Sequence, residues 1–168
     1  VVEISHATLT VASLTGDDQD GEQVTASSIP WRHDAPTLRS DEGRAELTAA
    51  FRELIKREGP PGRSLHVVLS GEYCVTRAFR GTTEEVRREI QGLDERCRLY
   101  LSLGPGEKAV VASIRDLDAR HQHALAAICN QGTLDAIYDA AERAGFQIAA
   151  IEPALCAASR AAGRLEGL

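Results

Sequence analysis

The chain has 168 residues, of which 43% are hydrophobic, and a formal net charge of −6. This is the composition of a globular chain rather than a disordered one, and basic residues scattered along an acidic sequence give no phosphate-backbone footprint, which excludes nucleic acid as a partner. No apolar run approaches the ~18 residues that a membrane span needs, and no signal peptide is recognisable. Met is absent, position 1 included, as expected of a trimmed chain or of a piece of a longer one. Cys74, Cys97, Cys129 and Cys156 are widely spaced without a C-x-x-C. Reduced, mostly buried thiols of a cytosolic protein are expected, and neither zinc nor a redox pair.

In chain order, Val2 to Ile4 and Leu9 to Leu14 read as two short strands joined by a Ser5-to-Thr8 turn. Gly16 to Gly21 is a turn whose ligand spacing fails as a calcium loop, and Gln23 to Trp31 is a third strand. His33 to Ser40 reads as a polar loop. Ser40 or Asp41 caps a helix whose Leu47, Ala50, Phe51, Leu54 and Ile55 form one apolar stripe, stopped by Gly59-Pro60-Pro61-Gly62. The apolar run Leu65 to Leu69 is a buried strand. The first 70 residues thus read β-β-β-α-β.

Tyr73 to Phe79 alternates as a strand. Thr82 or Thr83 caps a helix carrying Val86, Ile90 and Leu93, with glutamates where the helix dipole favours them. Arg98 to Leu103 reads as a strand, Gly104-Pro105-Gly106 as a turn, and Ala109 to Ile114 and Ala124 to Cys129 as two further strands. Thr133 to Ala144 is a helix closed by Gly145 at C′, Phe146 to Ile151 a last strand, and Glu152-Pro153 opens an Ala-rich helix. Residues 71–151 therefore read as an inserted β-α-β-β-α-β, ferredoxin-like subdomain, with one candidate strand more than that order needs. Residues 1–70 with 152–168 form the remainder.

The opening hairpin resembles the first phosphate loop of actin-like ATPases, in which an apolar-Asp-apolar-Gly-Ser/Thr pattern is followed by Lys. Glu3 stands at the Asp position, Ser5 at the Gly and Thr10 at the Lys, so the pattern is kept and its chemistry is largely lost. Further on, Arg77-Ala78-Phe79-Arg80 leading to Thr83-Glu84-Glu85-Val86, Tyr100 to Leu103 before Gly104, and Ala144-Gly145-Phe146-Gln147-Ile148 leading to Glu152-Pro153-Ala154-Leu155 resemble the PilM/GspL-like proteins of type IV pilus and type II secretion assembly.

This resemblance covers the whole chain. It implies an α/β (α+β) fold, the first half of an actin-like (ribonuclease-H-like) architecture, with residues 71–151 as its 1C-like insert and the rest as part of subdomain 1A. It implies a non-catalytic cytoplasmic scaffold without a cofactor, peripheral at the inner membrane. Its partner would be a bitopic PilN- or GspM-like protein, held by a short peptide in a groove between the two portions, and a homodimer is compatible with it. Tyr73, Val75, Arg77 and Tyr100 are the candidate partner-binding residues. The chain stops at Leu168, about where the second phosphate loop would begin. The competing reading is a piece of a nucleotide-binding actin-like ATPase or sugar-kinase relative; a third is a plain ferredoxin-like interaction module.

Other chemistries find less support. His121-Gln122-His123 lacks a third ligand nearby and reads as a solvated loop, not a metal site. Ser70-Gly71-Glu72 lacks the nucleophile elbow, and Gly104-Pro105-Gly106 precedes no helix, as a dinucleotide loop would. A nuclease of ribonuclease-H type needs several strand-end carboxylates, and only Glu3 qualifies. No catalytic and no metal-binding residue is expected.

Overall fold

The computed structural model describes residues 1–15, 23–31, 38–58 and 64–165. The expected turn at 16–21, most of the loop at 33–40 and the helix stop at 59–62 lie outside them. The chain divides into two compact units, Val1–Ser70 with Asp135–Leu168, and Gly71–Leu134.

The first unit is built on five strands: β1 (Val2–Ile4), β2 (Thr8–Thr15), β3 (Gln23–Pro30), β4 (Ser64–Leu69) and β8 (Gln147–Pro153), in the spatial order β3-β2-β1-β4-β8. β1, β2 and β3 form an antiparallel meander, whereas β1, β4 and β8 run parallel. Register explains the core. Val2 stands beside Val11 and Val67, and Ile4 beside Leu9 and Leu69, so one face of the sheet is a continuous aliphatic surface, with Val2, Ile4, Leu9 and Val67 entirely buried. The other face carries Glu3, Thr10, His66 and Glu152.

Helix α1 (Asp41–Glu58) begins at Ser40, whose Oγ accepts from the Gly43 amide at 3.0 Å. Its stripe of Leu47, Ala50, Phe51 and Leu54 is buried as the periodicity predicts. Helix α3 (Gln131–Arg143) contributes Ala136, Ile137, Ala140 and Ala141 to the same core. Phe146 meets Phe51 with ring centroids 5.9 Å apart at 59°, a favourable tilted pair. On the rim, Asp139 of α3 binds Arg44 of α1 at 3.3 Å and Arg143 at 3.1 Å. Gly145, at φ 85°, closes α3 in the left-handed region as a C′ glycine. Helix α4 (Ala154–Leu165) packs on the polar side of β8 and β4, its Arg160 paired with Glu152.

The second unit is a three-stranded antiparallel sheet of β5 (Cys74–Thr82), β6 (Lys108–Asp116) and β7 (His121–Asn130), in the order β5-β7-β6. Helix α2 (Thr83–Arg96) covers one face with Val86 and Leu93, above Ala126 and Ile128. Thr82 is its N-cap in a reciprocal capping box: the Thr82 hydroxyl accepts from the Glu85 amide, and Glu85 accepts from the Thr82 amide at 2.8 Å. Hydrogen bonds donated to it by the Thr82 amide and hydroxyl hold the Glu85 carboxyl below the usual range, the amide contributing most. Gly81 makes room for this, since a Cβ there would lie 2.8 Å from the Glu85 carboxylate.

Three expectations are corrected. The α/β class holds, but residues 135–151 belong with the first unit. Parallel pairing of β8 with β4 removes the last helix and strand from the expected ferredoxin-like insert and leaves a β-α-β-β unit. Residues 98–103 form no strand. Cys97–Leu99 and Leu101–Leu103 are two short 3-10 turns, whose three-residue period aims Cys97, Tyr100 and Leu103 at the core and leaves Leu99 and Leu101 exposed. His121 to His123 lie on β7 and not in a loop, because the β6–β7 hairpin is longer at its tip than the apolar runs suggest.

Asn130 is the polar keystone of this unit. It is buried, donates from Nδ2 to the carbonyls of Leu103 (3.1 Å) and Pro105 (2.7 Å), and accepts at Oδ1 from the Gly132 amide at the start of α3. Asn130→Ala removes the donor to the Leu103 and Pro105 carbonyls and the cap of α3, so a loss of about 2 kcal/mol is expected in urea unfolding followed by circular dichroism.

Candidate partner-binding site

The nucleotide-loop positions and the partner positions fall in different units. In the first, Glu3 lies on β1 between Thr10 of β2 and Val68 of β4. The Ser5–Thr8 turn is closed on itself. The Ser5 amide donates to the Thr8 carbonyl at 2.9 Å, and the Ser5 hydroxyl accepts from the Thr8 amide at 3.1 Å. A hydroxyl ladder runs on from Ser5 through Thr8 and Thr10 to Ser28 in steps of 3.1–3.2 Å. Trp31 completes the lock, its Nε1 donating to the Ser5 carbonyl at 2.8 Å. A phosphate needs backbone amides that point at it, and two amides of this turn are already committed.

The same sheet holds, in the register row that runs from Glu3 through Val68 to Glu152, a cluster that local sequence does not signal. Glu152 accepts from Arg160, and His66 Nε2 lies 2.7 Å from its Oε1. The Glu152 carboxyl is held below the usual range, chiefly by the Arg160 hydrogen bond and then by the charges of Arg160 and His66. His66 and Glu152 are 86 positions apart by number and meet only because β4 and β8 are parallel neighbours. Among the described residues no group of three or more His, Cys, Asp or Glu could hold a metal ion. His121 is instead spent on Asp118, at 2.9 Å. A concavity of about 590 Å³ between Trp31 and the outer side of α1 is lined by interleaved charges of both signs, including Glu42, Glu46, Arg52 and Lys56, and singles out no ligand.

In the second unit, Arg77 and Tyr100 come together. Arg77 Nε donates to the Tyr100 hydroxyl at 2.8 Å, while its guanidinium carbon stands 5.2 Å from the Tyr100 ring centroid. Cross-strand register provides the room: Arg77 is followed across the sheet by Ala126 and Ala112, and these small side chains let the ring of Tyr100 reach from the 3-10 segment to β5. Val75, two residues earlier on the same face, is partly buried against the Leu93, Cys97, Leu103 and Ile128 cluster. Phe79, two residues later, packs there too. It was not among the sequence candidates, although the period of two that marks Val75 and Arg77 includes it.

Tyr73 lies in the turn ahead of β5. No hydrogen bond or ring contact ties it to Tyr100 among the described residues. Burial, with the Glu72 charge second, pushes its phenol up to about 12. All four cysteines are free thiols, and Cys74, Cys97 and Cys129 are buried. β5 pairs with β7 alone and is an edge of its sheet, as is β6.

No family model matches the chain, and no curated protein matches it in sequence at a significant level. Solved structures do match it in shape. A chain of the PilM–PilN type IV pilus biogenesis complex superimposes over 90% of this chain and 46% of its own length, with a TM-score of 0.64 at 14% identity. The fold is PilM-like. The cytoplasmic domain of EpsL, an inner-membrane component of the type II secretion system of Vibrio cholerae, matches over 90% of this chain and 55% of its own, with a TM-score of 0.47 at 12% identity. The chain thus spans about half the length of the structures it matches. None of its described helices is long and apolar enough to cross a membrane.

Two outcomes are expected. Calorimetric titration of this chain with ATP and Mg²⁺ gives no binding in the low micromolar range, where the free energy would be about −8 kcal/mol; such binding would show that the closed Ser5–Thr8 turn opens for phosphate. Glu152, with its folded pKa depressed, adds stability that is present above the unfolded value and lost as pH falls through the folded one. The gap in urea midpoint between the protein and Glu152→Gln should therefore be full at about pH 5.5 and close progressively below about 4.5.

Proposed function

We propose that this chain is the peptide-holding part of a non-catalytic scaffold in a type IV pilus or type II secretion-like assembly. It would sit at the cytoplasmic face of the inner membrane through a bitopic, PilN-like partner. The observation that carries this reading is β5, an edge strand with Val75, the Arg77–Tyr100 pair and Phe79 in alternate positions on one face. Such an edge can accept an extended segment as an additional strand, with main-chain hydrogen bonds supplying affinity and side chains spaced by two residues supplying choice.

Likeness in fold to a chain from a PilM–PilN complex supports the kind of partner. The Ser5–Thr8 turn supports the non-catalytic side, since its hydroxyl and amides bond within the hairpin and Ser5, Glu3 and Thr10 replace the residues that a phosphate loop uses.

The test is binding of an N-terminal cytoplasmic peptide from a PilN-like protein. Val75→Asp places a charge beside the apolar cluster and should weaken binding at least tenfold, on the order of 1.4 kcal/mol or more. Circular dichroism run in parallel separates this from unfolding, because Val75 also packs against the core. Tyr100→Ala, which removes the support of Arg77, should weaken binding in the same direction. Undiminished binding to both variants, each folded, would place the partner elsewhere.

A further inference from the structure

Arg77 is held differently from the other arginines of known partner. Arg44, Arg57, Arg88, Arg96, Arg143 and Arg160 each bond a carboxylate of the chain itself, and Arg98 a backbone carbonyl. Arg77 bonds a phenol and lies against its ring, with no carboxylate within ion-pair distance among the described residues. A guanidinium presents five N–H donors in a rigid planar fork. Here Nε is committed to the Tyr100 hydroxyl and the cation stands over its ring, so the two terminal nitrogens keep a defined direction at an exposed position on an edge strand. That is a pre-organised receptor for a carboxylate, with much of the ordering cost already met by Tyr100.

The neighbours of Arg77 define the rest of the ligand. β5 reads Cys-Val-Thr-Arg-Ala-Phe-Arg-Gly-Thr, with two arginines and no acid. On the face shared with α2 the order is Val75, Arg77, Phe79, apolar on either side of a cation. A strand laid along the outer edge places its own side chains opposite these at the same period of two. We infer that the edge of β5 selects an extended peptide reading apolar-x-Asp/Glu-x-apolar, with the acid on Arg77 and the apolar residues beside Val75 and Phe79. The pattern is the same in both directions, so it fits parallel and antiparallel addition alike. This inference rests on the edge-strand reading of the preceding section and goes beyond it in naming the chemistry of the partner segment.

The experiment uses the full chain labelled with ¹⁵N and two synthetic peptides, Ser-Val-Thr-Glu-Thr-Val-Ser and the same sequence with Lys in place of Glu. Amide shifts of residues 74–82 report strand addition, and the concentration dependence reports selectivity. The Glu peptide should bind about five- to tenfold more tightly than the Lys peptide at low salt, with the difference shrinking as salt is raised. Arg77→Glu should reverse the order, and Arg77→Gln should bring the two together. Both substitutions are at an exposed side chain, and a dispersed amide spectrum verifies folding of each. If both peptides shift the β5 amides equally in all three proteins, edge addition stands and recognition of an acid falls. If neither peptide moves the β5 amides, the edge reading falls and takes this inference with it.

Discussion

The parallel pairing of β8 with β4 is the constraint on which the rest of the architecture depends. The chain leaves the first sheet after Leu69 and returns to it at Gln147, on the open side of β4. Helix α3 and Phe146 are thereby delivered to the core that α1 and β1 have begun, and the Phe51–Phe146 contact and the Asp139 ion pairs follow from that return. The whole β-α-β-β unit is a closed excursion between two adjacent parallel strands. Ends fixed in this way let an inserted unit vary in sequence and loop length without loss of the host sheet, since lengthening a closed loop costs only slowly increasing entropy.

Local chemistry reached much of this fold directly. The alternation and apolar runs of the first 70 residues, the stripe of α1, the Thr82 cap and Gly145 as C′ depend on neighbours within one turn or one strand, and sequence reports such neighbours well. What it did not report was non-local. Nothing in Phe146 to Ile151 says which strand it will lie beside, so an α-β pair with ferredoxin-like rhythm was assigned to the insert. Residues 98–103 carry apolar positions at both two- and three-residue spacing, and the choice between them is made by the Cys97, Tyr100 and Leu103 contacts with the sheet beneath.

The same holds at the candidate site. Arg77 and Tyr100 were each identifiable as candidates, Arg77 on an alternating strand and Tyr100 in a distinctive run. Their contact is not legible locally, because it depends on Ala126 and Ala112 being small in the intervening strands. Tyr73, chosen on the same alternation, stands apart because the strand begins only at Cys74. The His66–Glu152–Arg160 cluster has no local signal at all and is a by-product of the strand order.

Trp31 is the only tryptophan in the chain, and its indole is fastened to the Ser5 carbonyl. Intrinsic emission at its wavelengths is therefore a private report on the β1–β2 hairpin and its surroundings. An event at that turn, such as an anion prising the Ser5–Thr8 bonds apart, would free the indole and register as a spectral change. Melting confined to Gly71–Leu134 breaks neither partner of that bond. A single side chain thus gives the first unit an optical signature without any label.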